Sequence, residues 1–324
     1  MAILEIRDLK TYYQTRIGEK VRAVDGVSFE LHRGEILGIA GESGCGKSTM
    51  AMSVSGLFPP PLRYESGSIM LGGYDLTKID QKKLRKEILG KKLSYIPQSA
   101  MNALNPTIKI KEFITDILKE HNPELTREEI LDLAKKRFES LSLSPKVLNM
   151  YPVELSGGMK QRTVVAVSTL MDPEVVIADE PTSALDVSSQ KEVIKLIKEL
   201  FEKRVVKSVV FITHELPILK HIAQKIAIMY AGEFVEVGTM EQIIFDPLHP
   251  YSKALMNSII VPEMGIKSKM LSSLPGAPPD LREILLGCRF AERCPHATDV
   301  CRKEPIEMKK VDGRLVRCWY GGHK

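Results

Sequence analysis

No stretch of this 324-residue sequence approaches the run of about 18 apolar residues that a membrane-spanning helix needs. Any work at a membrane is therefore expected to pass through a partner. A secretory leader is missing as well. Met1-Ala2-Ile3-Leu4-Glu5-Ile6-Arg7 carries charges where an apolar segment should stand, so the expectation is a soluble, cytosolic chain. An excess of one charge is also lacking: the net +5 is mild and spread along the chain, which argues against a nucleic-acid partner. Cysteine is scarce and uneven, with five residues in all, four of them beyond position 287. The bulk composition is ordinary, 44% hydrophobic and 27% charged, and is ample for a core. At about 150 residues per domain, the length fits one large domain plus additions.

Within that frame one stretch organises the rest. Gly41-Glu42-Ser43-Gly44-Cys45-Gly46-Lys47-Ser48 is a complete G-x-x-x-x-G-K-[ST] loop. It follows a short apolar strand, Glu35 to Ala40, and precedes a helical stretch from Thr49 to Val54. Strand, glycine-rich turn and helix N-terminus together aim free N–H groups and a helix dipole at one point, which suits an anion. The glycines let backbone approach phosphate, Lys47 adds a point charge, and Ser48 can hold Mg²⁺. The expected ligand is a nucleoside triphosphate. Upstream, Tyr13 or its neighbour Tyr12 could stack on a purine, and packing against the sheet explains either ring equally well.

Four further stretches carry chemistry. Leu93 to Pro97 reads as a strand ending at Gln98, whose carboxamide can bind a metal or position a water. Leu155-Ser156-Gly157-Gly158-Met159-Lys160-Gln161-Arg162 precedes an apolar helix, Thr163 to Leu170, and offers a second set of free N–H groups to an anion. Val175-Val176-Ile177-Ala178-Asp179-Glu180 is a buried strand ending in two carboxylates, at the end of an α/β sheet where ligands sit. Asp179 suits Mg²⁺ and Glu180 suits a proton from an attacking water. The strand Ser208 to Thr213 ends at His214, near the expected γ-phosphate. Between 110 and 144 the pattern turns helical: Ile110, Phe113, Ile114, Ile117 and Leu118 form one stripe. Thr126-Arg127-Glu128-Glu129 reads as a capping box, opening a helix with Ile130, Ala134, Arg137 and Leu141 on one face.

In this order the motifs resemble those of the nucleotide-binding subunit of an ABC transporter: a Walker A loop at 41–48, a Q-loop at Gln98, an LSGG signature at 155–158, a Walker B strand at 175–179 with Glu180, a D-loop at Ser183–Asp186 and a switch at His214. The resemblance implies an α/β P-loop NTPase with a RecA-like core, an antiparallel β subdomain and an α-helical subdomain at about 99–165. It implies two ATP molecules sandwiched between two protomers, so that Ser156, Gly157 and Gly158 of one cap the phosphate held by Lys47, Ser48 and Thr49 of the other. Tyr13 matches the adenine-stacking aromatic, Gln98 a sensor of Mg²⁺ and water, and Glu180 the general base. A coiled-coil arm or a second phosphate loop, as in soluble relatives acting on DNA or the ribosome, is missing.

The last eighty residues narrow the resemblance. Leu274-Pro275-Gly276-Ala277-Pro278-Pro279-Asp280-Leu281 and Gly287-Cys288-Arg289-Phe290-Ala291-Glu292-Arg293-Cys294-Pro295 are similar to the tail of oligopeptide/dipeptide importer ATPases, a branch that also includes nickel importers. A boundary is expected near 240, with 241–324 as a small C-terminal module. Cys288, Cys294, Cys301 and Cys318 leave gaps of five, six and sixteen residues, unlike the close pairs of most zinc sites. Disulfides are disfavoured in a reducing cytosol. Some members of the branch carry a [4Fe–4S] cluster in this tail, and that is the favoured reading here over zinc or free thiols. Cys45, apart in the phosphate loop, reads as a small filler. The implied partners are a second ATPase subunit (a related chain rather than a second copy), two integral membrane permeases and, indirectly, an extracytoplasmic substrate-binding protein, with this chain peripheral on the cytoplasmic face.

Overall fold

Two kinds of strand in the sequence become two sheets in the computed structural model, which describes residues 2–98, 100–258, 276–283 and 285–321. Strands that alternate apolar and polar pair antiparallel. They are β1 (Ala2–Gln14) and β2 (Lys20–His32), joined by β4 (Leu62–Leu71) and β5 (Tyr74–Asp75) in the order β2-β1-β4-β5. Strands that are mostly apolar along their length pair parallel, because with both faces covered they have little polar side to show. These are β3 (Ile36–Ala40), β6 (Leu93–Ile96), β7 (Val175–Asp179), β8 (Ser208–Ile212) and β9 (Lys225–Tyr230), ordered β9-β3-β8-β7-β6. Every residue of β3, β7 and β8 is buried. In such a sheet, ligands gather beyond the carboxyl ends of the strands. Here those ends deliver the phosphate loop after β3, Glu180 after β7 and His214 just past β8.

The helical region consists of Ile110–His121, Arg127–Ser140 and Gly157–Ser168. The capping box forms as the sequence implies: Glu129 N–H donates to Thr126 Oγ1 at 3.2 Å, and Thr126 N–H to Glu129 Oε2 at 2.7 Å. Ile110, Ile114, Leu118, Ile130, Ala134 and Phe138 share one core. No helix among the described residues is long and apolar enough to cross a membrane.

The tail contributes two strands to the main sheet. After β9 the chain turns through Ala231-Gly232 into β10 (Glu233–Thr239), antiparallel to it. From far downstream, β11 (Lys309–Val311) and β12 (Arg314–Val316) form a hairpin, and β12 pairs with β10 through Glu236↔Val316 and Val237↔Leu315. The main sheet thereby reaches eight strands, and β10 gains a partner for its otherwise open edge. Leu274 and Pro275, singled out in the sequence, lie outside the described residues.

One buried ion pair fastens the hairpin. The carboxylate of Glu236, wholly buried, accepts the N–H groups of Leu248 at 2.8 Å and His249 at 3.0 Å, with Arg314 Nη1 3.6 Å away. Arg314 also donates to the carbonyls of Gln242 and Asp246 and to Asp246 Oδ2 at 3.1 Å. Removing one member of a buried pair strands the other's charge. Arg314→Met is therefore expected to lower the unfolding free energy by about 3 kcal/mol in urea titrations, and a loss within error of zero would show that the pair does not secure the hairpin.

Candidate active site

The phosphate loop is shaped by close backbone contacts that only glycine allows. A Cβ on Gly41 would stand 2.1 Å from the carbonyl oxygen of Met229, and one on Gly46, at φ +107°, 2.1 Å from that of Ala23. Strands β9 and β2 thus press on the loop from outside. Ser43 and Gly44 form its exposed crest, while Cys45 is buried beneath it, a small filler as read from sequence. Lys47 Nζ lies inside the curl and donates to the carbonyls of Gly41 at 2.8 Å and Glu42 at 2.9 Å. The helix Lys47–Val54 starts here, so its free N–H groups face the same space.

Two carboxylates at the end of β7 divide the remaining work. Asp179 is fully buried and accepts Ser48 Oγ at 3.1 Å on one oxygen and Tyr95 OH at 3.2 Å on the other. Burial pushes its carboxyl above the usual range, and the neighbouring Glu180 adds to that, while the two hydroxyls and Lys47 oppose it. A divalent cation beside Asp179 and Ser48 would satisfy this carboxylate, and both residues are of the type Mg²⁺ takes. Glu180 sits in a left-handed conformation, φ +46°, with its N–H fixed to the Ile212 carbonyl at 2.9 Å. Its Oε2 receives Gln98 Nε2 at 3.0 Å and lies 3.2 Å from His214 Nδ1. The three residues predicted separately from three strand ends meet at one oxygen atom.

Tyr95 is a site residue that sequence reasoning passed over, because its period-2 place in an apolar strand concealed its polar tip. Burial raises its hydroxyl pKa, and the adjacent Asp179 does so further, keeping it a donor. The two upstream tyrosines separate: Tyr13 OH lies 3.0 Å from Thr49 Oγ1, on the phosphate-loop helix, whereas Lys20 Nζ stands 4.4 Å above the Tyr12 ring. Tyr13 is the ring on the loop's side.

The signature lies elsewhere on the molecule. Ser156 caps the helix Gly157–Ser168 by accepting the N–H of Met159 at 3.3 Å, so the helix begins inside the signature rather than at Thr163. Capping by a serine offsets the weak helix propensity of the two glycines. Ser156 and Gly157 are exposed. Gly158 packs against the helix Val187–Glu202, where a Cβ would lie 2.9 Å from Ser189 Oγ. Ser189 Oγ in turn donates to the D-loop carboxylate of Asp186 at 2.7 Å. Among the described residues, none of the bonds made by Ser156, Gly157 and Gly158 reaches Lys47, Asp179 or Glu180.

Cys288, Cys294, Cys301 and Cys318 line one cavity of about 610 Å³, walled also by His249, Phe290 and Trp319. Burial pushes the thiols of Cys294 and Cys318 up, and that of Cys288 up to about 12. Among the described residues no three His, Cys, Asp or Glu side chains are arranged to hold a metal ion.

Comparison with known proteins gives the family. Residues 24–183 match the ABC transporter family, and residues 235–301 match the C-terminal region of oligopeptide/dipeptide transporters. The chain is 39% identical to the dipeptide transport ATP-binding protein DppD of Caldanaerobacter subterraneus subsp. tengcongensis, over 98% of this chain and 96% of that one. It is 38% identical to the oligopeptide transport ATP-binding protein OppD of Bacillus subtilis, over 98% and 88%. Among solved structures, it is similar to a dimeric post-hydrolysis ATP-binding cassette bound to ADP and Pi, at 25% identity and a TM-score of 0.64, covering 73% of this chain and 98% of that one. On sequence and fold alike, the chain belongs to the ABC transporter ATP-binding proteins that carry the oligopeptide/dipeptide transporter C-terminal region.

Proposed function

We propose that this ATPase energises the import of dipeptides or oligopeptides through a membrane permease pair. The match of residues 235–301 to the oligopeptide/dipeptide transporter C-terminal region carries the cargo reading, and the meeting of Gln98 and His214 on Glu180, beside a buried Asp179 tied to Ser48 of the phosphate loop, supports the hydrolysis. Lys47 and the loop N–H groups would hold the triphosphate, with Ser48, Asp179 and Gln98 as the residues suited to Mg²⁺. Mg²⁺ would neutralise phosphate charge there. Glu180 is the group placed to accept a proton from water, with Gln98 and His214 orienting its carboxylate. Tyr13, on the loop's side of β1, is the ring available to adenine.

Ser156, Gly157 and Gly158 belong in this reading to the opposite site of a dimer. The exposure of Ser156 and Gly157 and the dimeric cassette among the similar structures support that assignment. A related second chain is the proposed partner, a second copy the alternative, and a nickel or other small-solute importer the alternative cargo. The proposed place is peripheral, on the cytoplasmic face beneath the permeases, which would in turn take peptide from an external binding protein. The ATP-binding domain would span about 1–240 and the transporter-specific extension 241–324.

For the tail we favour a [4Fe–4S] cluster on Cys288, Cys294, Cys301 and Cys318. The support for this reading is that the four cysteines line one cavity, and thiolates are the ligands such a cluster takes. Its contribution would be to cross-link the tail.

Glu180→Gln should bind ATP, lose about 10²–10⁴ in turnover and accumulate as an ATP-bound dimer; near-normal steady-state hydrolysis would remove Glu180 from the role. Reconstituted with its permeases and binding protein in vesicles, the chain should drive ATP-dependent uptake of labelled dipeptide, and uptake of Ni²⁺ in place of peptide would overturn the cargo assignment. Anaerobically purified protein should be brown and contain about four irons per chain. A colourless, iron-free preparation eliminates the cluster.

A further inference from the structure

Glu42 is the one acidic residue of the phosphate-binding loop, and an unpaired negative charge that near a bound triphosphate would oppose it. The fold answers it from the tail. Arg293 Nη1 donates to Glu42 Oε2 at 2.7 Å and Nη2 to Oε1 at 2.9 Å, a two-pronged pair between residues 251 apart in sequence. The Arg293 side chain is 5% exposed. It is held in place by Tyr230, whose hydroxyl accepts Nη1 at 3.2 Å, and by the rings of Tyr230 and Phe290. Glu42 is anchored a second time, by its N–H donating to Tyr251 OH at 2.9 Å. Phe290 packs edge-on to Tyr230 and against Tyr251, and it also walls the cavity of the four cysteines. Cys294 follows Arg293 directly.

We propose that Arg293 is a positioning residue for nucleotide binding: it neutralises and fixes Glu42, so that the order of the cysteine-bearing tail sets the affinity of the phosphate loop for ATP. The proposal rests on ATP binding at that loop. The guanidinium fork matches a carboxylate in a way that a lysine cannot. With Arg293 gone, the carboxylate of Glu42 would both repel phosphate and lose its fixed orientation. If Glu42 is neutralised as well, the repulsion goes too, and loss of both partners of a part-buried pair is milder than loss of one.

The test is a fluorescent-nucleotide titration and steady-state hydrolysis on the full chain as wild type, Arg293→Met, and Arg293→Met combined with Glu42→Gln, with thermal melting to establish that each is folded. Arg293→Met should raise the Kd and KM for ATP by about fivefold or more, with kcat at saturation within about twofold of wild type. Adding Glu42→Gln should return Kd to within about threefold of wild type. Arg293→Met binding ATP as wild type does, or a double variant as weak as the single one, overturns the proposal. If Arg293→Met does not fold, Arg293→Lys serves instead, with a smaller rise in Kd that Glu42→Gln must again reverse. A wild type that fails to bind ATP refutes the reading of the loop itself, which is a different outcome.

Discussion

The parallel register of three buried strands is the constraint on which the catalytic geometry depends. Ile39 of β3 and Asp179 of β7 both lie opposite Ile212 of β8, so the three strands end level with one another. Each is followed at once by its functional group, the phosphate loop, Glu180 and, one residue further, His214. A slip of one residue in any of them would move its group by about 3.3 Å and turn it to the other face. That shift is as long as the hydrogen bonds that now join Ser48 to Asp179 and Glu180 to Gln98. Continuous Val, Ile and Ala burial in these strands is therefore what holds the chemistry in place.

The same arrangement concentrates negative charge. Asp179 and Glu180 are adjacent and nearly inaccessible to water, a combination tolerable only because hydroxyl, carboxamide and imidazole groups are aimed at them. The left-handed backbone at Glu180 belongs to this arrangement, since its N–H is fixed to β8 while its side chain turns toward Gln98 and His214. The signature turn at Ser156 stands apart, with Gly158 packed against Ser189, whose hydroxyl donates to Asp186 of the D-loop.

Much of this was legible in the sequence because it is written in short spacings. The phosphate loop, the capping box at Thr126 and Glu129, the apolar stripe from Ile110 and the paired acids after β7 each fit within a dozen residues, and local geometry requires them there. What escaped were the encounters between distant parts. Tyr95 reaches Asp179 across 84 residues, and Arg293 reaches Glu42 across 251, with no periodicity to announce either. The onset of the signature helix was placed late because paired glycines signal a turn unless the serine cap is weighed against them. The tail hairpin was invisible for a simpler reason: Arg314-Leu315-Val316 is too short to carry a strand pattern, and only the vacant edge of β10 gives it a place.

That borrowed strand has a consequence in time. Val316 is made about eighty residues after Glu236, the residue it pairs with. At about 5–20 residues per second, synthesis leaves β10 without its outer neighbour for several seconds. Throughout that interval Glu236 has no Arg314, and the apolar Val235 and Val237 border an open edge. Over that interval the newborn chain carries an unpaired strand edge, the kind of edge that invites mispairing.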